Sequence, residues 1–238
     1  MKPGKMSESI RGDLGSFCAV DTNQLQWTAS PSGSVWRKRL HLVGPAESGQ
    51  VTSVVRYDKN SSFPEHDHPD GEEILVLDGV FSDQQGDWPA GTFLLNPEGF
   101  RHAPFSRQGC ELFVKLRQYP GRDRRHVATD THSVSWQDSE TPGLARKPLY
   151  SQQGYADTVE LQKWAVGSAP GVIAYPAGAE IFIIDGSFSD ETGHYKKGCW
   201  LRFPAGASHR LQTSDGCTIY IKQAGLEYLV PGEQSSSQ

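Results

Sequence analysis

Residues 51–115 return at 158–222 with a constant offset of 107 and no gap. Asp78-Gly79-Val80-Phe81-Ser82-Asp83 comes back as Asp185-Gly186-Ser187-Phe188-Ser189-Asp190, and Glu73-Ile74 as Glu180-Ile181. Gly91, Pro97, Gly99, His102, Gly109, Cys110 and Lys115 reappear as Gly198, Pro204, Gly206, His209, Gly216, Cys217 and Lys222. An ungapped repeat of that length means two copies of one fold. At 238 residues there is room for two domains of about a hundred residues each. The repeated unit has β character. Its apolar runs are short (Val51–Val55, Ile74–Leu77, Glu111–Val114, Ile181–Ile184, Thr218–Ile221), and glycine and proline turn signals separate them. Leu161–Val166 looks helical in isolation, but the repeat aligns it with a strand at 54–59. The expected fold class is all-β, as two sandwich or barrel domains in tandem.

The chemistry-bearing residues are concentrated in the first copy. His66, His68 and Glu72 fall within seven positions, and His102 lies thirty residues further on. Three imidazoles and a carboxylate make a first shell for a divalent transition metal, with positions left for water or a ligand. Residues two apart on a strand share a face, so His66 and His68 point together. Glu72 keeps their parity across the Pro69-Asp70-Gly71 turn, whereas Glu73 has the opposite one. Parity across a turn ranks these glutamates without deciding between them. In the second copy the first three positions hold Ile173, Tyr175 and Ala179, and only His209 survives. One neutral imidazole does not hold a transition metal. One metal per chain is therefore expected, with His209 hydrogen-bonded inside a packed barrel. Features common to both copies, such as Glu73/Glu180, Cys110/Cys217 and Lys115/Lys222, are assigned to the shared fold.

The pattern H-x-H-x3-E-x6-G from His66 to Gly79, followed by G-x5-P-x4-H from Gly91 to His102, resembles the two cupin motifs. The wording Glu72–Asp83, with Arg101-His102-Ala103-Pro104-Phe105, Gly109-Cys110 and Phe113–Gln118, is most similar to the ChrR-type cupins. That resemblance implies a bicupin, two double-stranded β-helix (jelly-roll) domains, with His66, His68, Glu72 and His102 as metal ligands. It also implies one of two functions. The first is a metal-dependent dioxygenase acting on a small oxygenated molecule such as a diketone or hydroxyaryl ketone. The second is a non-catalytic metal or small-molecule sensor related to the anti-sigma factor ChrR. The helical zinc domain with which ChrR grips its sigma factor has an H-x3-C-x2-C signature that is not found here, and this favours the enzyme. Fe(II) is the first choice of metal, and Zn, Mn and Ni also suit imidazole and carboxylate. Tyr57, Phe63, Phe93, Phe100, Phe105 and Phe113 are the candidate lining of a mostly apolar substrate pocket.

The boundaries expected from the repeat are a tail at 1–20, the metal-bearing cupin at 21–120, a linker at 121–145, the degenerate cupin at 146–230 and a tail at 231–238. The second cupin is expected to support the first structurally and to contribute no chemistry. A net charge of −5 gives no electrostatic reason to expect nucleic acid. The Arg122–His126 cluster fits a solvated linker. Cys18, Cys110, Cys199 and Cys217 form no C-x-x-C pair and are expected to be thiols, with Cys110 and Cys217 in the core. The first residues lack an apolar signal region and no run approaches membrane-spanning length, so a cytoplasmic protein is the default expectation. The expected partner is a small-molecule ligand or substrate, and a homodimer is left open.

Overall fold

The computed structural model describes residues 8–232, and the outermost parts of the two expected tails fall outside them. Apart from two 3-10 turns at Thr22–Gln24 and Leu226–Tyr228, every regular element is a strand. The chain divides into two compact units. In the first, Glu8–Ile10, Val35–Gly44, Gln50–Tyr57, Cys110–Leu116, Glu72–Asp83, Thr92–Asn96 and Val127–Asp130 lie side by side in that order. Facing them is a two-stranded ribbon of His66–Asp67 with Arg101–His102, in which His66 is the register partner of His102. The second unit repeats the plan. Its main sheet runs Gln137–Asp138, Leu144–Tyr150, Thr158–Trp164, Cys217–Gln223, Ala179–Ser189, Cys199–Phe203 and Cys18–Asp21. Its ribbon joins Gly171–Tyr175 to Ala207–Leu211 and pairs Ile173 with His209.

Strand alternation explains the interiors. Even positions of the Glu72–Asp83 strand bury Ile74 and Val76 in the same cluster as Leu94, Leu112 and Val114. Before the register shift that follows Val76, its odd positions face the other way, so Leu75 forms a row with its register partners Phe93 and Phe113; beyond the shift the odd-numbered Phe81 joins the inner cluster. Glu73 and Lys115 are direct partners on that outer face, as are Glu180 and Lys222, and all four are buried. Opposite charges facing each other across a ladder are favourable, and these pairs belong to the part of the design that both units share.

The boundaries drawn from the repeat need correction at the ends. Residues 15–25 belong to the second unit, because Cys18–Asp21 pairs with Cys199–Phe203. The segment expected as a linker supplies Val127–Asp130 to the first unit, paired with Thr92–Asn96, and Gln137–Asp138 to the second. Each unit thus takes an edge strand from the segment that precedes the other repeat. These strands have two to four residues, too few for alternation to register above a polar background. Buried thiols agree with the sequence expectation: burial raises Cys110 to about 11 and Cys217 to about 12, which keeps both protonated and unreactive at neutral pH.

Candidate metal centre

Local backbone brings the four candidate ligands together. The ribbon sets His66 beside His102, and His68 follows two residues after His66. Two left-handed residues, Asp70 at φ 57° and Gly71 at φ 72°, then turn the chain sharply into the Glu72–Asp83 strand. A Cβ on Gly71 would meet the Tyr119 side chain at 2.9 Å and the Asn96 carbonyl at 3.1 Å, so glycine is required there. Ligand atoms of His66, His68 and His102 all lie within 4.8 Å of one another. His68 Nε2 is 2.9 Å from His102 Nε2. Glu72 Oε2 lies 3.4 Å from His68 Nε2 and 3.6 Å from His102 Nε2. Glu73 is on the opposite face, against Lys115.

The groups behind these ligands fix their orientation. His102 Nδ1 is 3.2 Å from Asp83 Oδ2 and His66 Nδ1 is 2.8 Å from the Pro64 carbonyl. Carboxylates and carbonyls only accept, so both rings carry hydrogen on Nδ1 and, when neutral, turn an Nε2 lone pair toward the site. Asn96 Nδ2 donates to Glu72 Oε2 at 2.9 Å. This is the outer-shell arrangement that imidazole and carboxylate metal ligands require. Two donors about 2.1 Å from one ion at right angles stand about 3.0 Å apart, close to the separation found between His68 and His102. The donor set therefore fits a divalent transition ion.

Electrostatics act differently on the two buried rings. Burial is the largest influence on His68 and lowers its affinity for a proton below the ordinary imidazole value, against the pull of Glu72. Burial also disfavours charge on His102, but the Asp83 hydrogen bond and the negative charges of Glu72 and Asp83 outweigh it and raise His102. Asp83 is likewise opposed by burial, yet it is lowered by hydrogen bonds from His102, Gln85 N–H at 2.8 Å and the Trp88 indole at 3.3 Å.

These ligands sit on the wall of a cavity of about 350 Å³ inside the first unit. Tyr57 and Phe63 line it, with Val55, Ile74, Leu112 and Val114. The other four aromatic candidates do not. Phe93 and Phe113 belong to the outer row with Leu75, since inward positions on their strands are Leu94, Leu112 and Val114. Phe100 packs on His102 at 5.5 Å and stacks on His126 at 5.2 Å. Phe105 lies under the Arg107 guanidinium at 4.9 Å. Sequence reasoning also passed over Asp83, Asn96 and the cavity-lining Arg37 and Arg39. A signal for Asp83 existed: it recurs as Asp190 together with the one histidine that recurs.

In the second unit the equivalent place is filled. Tyr175, at the position of His68, is 3.1 Å through its hydroxyl from His209 Nε2. His209 Nδ1 reaches Asp190 Oδ2 at 3.0 Å, repeating the His102–Asp83 contact. Tyr175, Ala179, Phe188 and Phe203 join one buried cluster, with Ile173 packed against it. Among the described residues, the histidines of the first unit are the one cluster of at least three donors able to hold a metal.

Two jelly-roll units on one chain, one with a histidine triad on its cavity wall, define a bicupin. The ChrR cupin-like domain matches twice, at residues 16–120 and 124–227. The chain belongs to this ChrR cupin-like family. Among solved structures, a putative dioxygenase from Nostoc punctiforme superposes with a TM-score of 0.74 at 16% identity, covering 94% of this chain and 88% of that one. The pirin YhhW from Escherichia coli, solved with nickel(II), gives 0.64 at 15% identity, covering 88% and 99%. A mutant of the Bacillus subtilis oxalate decarboxylase OxdC gives 0.61 at 12% identity, covering 90% and 79%. At such identities the likeness is one of fold. No curated protein matches at a significant level.

Proposed function

We propose that the first cupin is a mononuclear metal centre with Fe(II) as its working ion, and that the protein is an oxygenase for a small oxygenated organic molecule such as a diketone or hydroxyaryl ketone. The observation that carries this reading is the convergence of His66, His68 and His102 within 4.8 Å on the wall of a largely apolar cavity. An ion held there supplies Lewis acidity and, as iron, redox chemistry with dioxygen. The protein's own contributions are separate. Asp83 and Asn96 hold His102 and Glu72 in place, and Val55, Ile74, Leu112 and Val114 exclude water from the bound molecule. The putative dioxygenase and the nickel-bound pirin among the structural neighbours support a metal-dependent role without specifying the substrate.

Oxygen uptake by protein purified without a histidine tag and loaded anaerobically with iron tests this reading. Consumption with at least one β-diketone or hydroxyaryl ketone is expected, and Glu72→Gln should abolish it by removing an anionic donor. Glu73→Gln should retain the metal. Silence across such a panel, with zinc held as isolated, would contradict the oxygenase and favour a sensor.

A further inference from the structure

The cavity that carries the histidines also carries cations for which the metal site has no use. Arg37 and Arg39 are two apart on the Val35–Gly44 strand, so both project inward on the side of Val35. Their side chains retain 19% and 16% of their accessibility. A guanidinium so far out of water needs an anionic partner, and one carboxylate serves both. Glu47 accepts from Arg37 Nη1 at 2.8 Å and 2.7 Å through its two oxygens, and from Arg39 Nη2 at 3.2 Å. Arg39 Nη2 also reaches the Ala46 carbonyl at 3.3 Å.

Glu47 stands on different ground from the arginines. It rides on the turn between two strands, closed by Ser48 and Gly49 N–H groups on the Pro45 carbonyl. Its side chain is 43% exposed. A carboxylate so placed can reach water on its own, but the arginines it leaves would still need an anion, so its displacement is expected only in exchange for another carboxylate. The arginines remain anchored in the cavity wall. Glu47, Asp67 and Glu72 balance Arg37, Arg39 and Arg117 among the lining residues, so a divalent ion leaves the cavity positive. An anionic ligand would restore neutrality.

We propose that Arg37 and Arg39 form a carboxylate subsite, filled in this structure by Glu47, and that the natural ligand is a small organic acid. Its carboxylate displaces Glu47 from the arginine pair while its remaining oxygens reach toward His66, His68 and His102. The metal end of this assignment rests on the function proposed above, whereas the arginine end stands independently of it.

Calorimetric titration of the zinc-loaded protein separates the two. Succinylacetone and acetylacetone carry the same β-diketone, and only the first bears a carboxylate. Succinylacetone should bind at least about tenfold more tightly, the scale of one charge-assisted pair. Arg39→Gln should remove the preference while leaving zinc content and acetylacetone affinity unchanged. Glu47→Gln, on an exposed turn where misfolding is no concern, should tighten succinylacetone several-fold by vacating the subsite. Equal affinities with zinc in place, or no response to Glu47→Gln, would overturn the subsite and leave the metal site standing. If the protein holds no metal, the metal reading fails, and the titration is repeated on the metal-free protein. Succinylacetone binding that Glu47→Gln strengthens would then sustain the subsite, and no binding would end it.

Discussion

His102 donates from Nδ1 to Asp83 and His209 from Nδ1 to Asp190, so both units hold the ring in one tautomer with Nε2 turned inward. What meets that nitrogen differs. In the first unit it is His68 Nε2, and in the second it is the hydroxyl of Tyr175. A phenol both donates and accepts, which completes the hydrogen bonding of a neutral imidazole without an ion. Asp83→Ala should therefore weaken metal binding by about 10–100-fold while keeping all four ligands, as read by competition with a chelator. An unchanged affinity would show that Asp83 does not orient His102. The corresponding Asp190 serves stability instead. Burial works against its charge, but hydrogen bonds from Thr192 and His209 lower it below the ordinary carboxylate value. A carboxylate lowered in the folded state contributes stability above its unfolded value, and that contribution is lost as pH falls through the folded one. Asp190→Ala should cost about 1–3 kcal/mol at neutral pH. In denaturant titrations the difference should shrink below pH of about 4. A cost that stays constant into acid would mean that packing, not charge, is lost.

The long strands show which features of an element the sequence makes legible. Glu72–Asp83 and Ala179–Ser189 were readable from short apolar runs between turn signals and from their repeated wording, and both shift register where they meet the last strand of the repeat. Gly79 and Gly186 lie at φ 71° at equivalent places. A Cβ on either would collide with a carbonyl, that of Gly109 or Gly216 respectively. Gly79→Ala and Gly186→Ala should each destabilise by at least about 1–3 kcal/mol, and thermal unfolding of the two variants checks the match. A tolerated alanine at either position would mean the two strands bend differently. Other features were not legible. Phe93 and Phe113 are aromatic and buried, as pocket residues would be, and only the pairing of their strands reveals that they face outward with Leu75. Arg37 and Arg39 look like surface cations until their strand is known to present its odd positions to the cavity.

For the whole molecule, the repeat fixes the number of units and that their main strands share one plan, but not the order of those strands in the sheet or which edge strand each unit receives. Val127–Asp130 closes the first unit and Cys18–Asp21 the second. Cutting the chain before residue 127 would leave Thr92–Asn96 with an open edge, so a fragment for testing the first unit alone should extend through Asp130. The candidate ligands were legible because the repeat supplies its own control: one copy keeps His66, His68, Glu72 and His102, and the other has filled the same space with Ile173, Tyr175 and Ala179. The central claim is that this difference makes one unit a metal centre and the other a packed barrel. Elemental analysis of the untagged protein after saturation with a divalent transition metal and desalting tests it most directly. One equivalent per chain is expected, lost in His68→Ala and kept in His209→Ala. Two equivalents, or loss of metal in His209→Ala with His68→Ala unaffected, would contradict it.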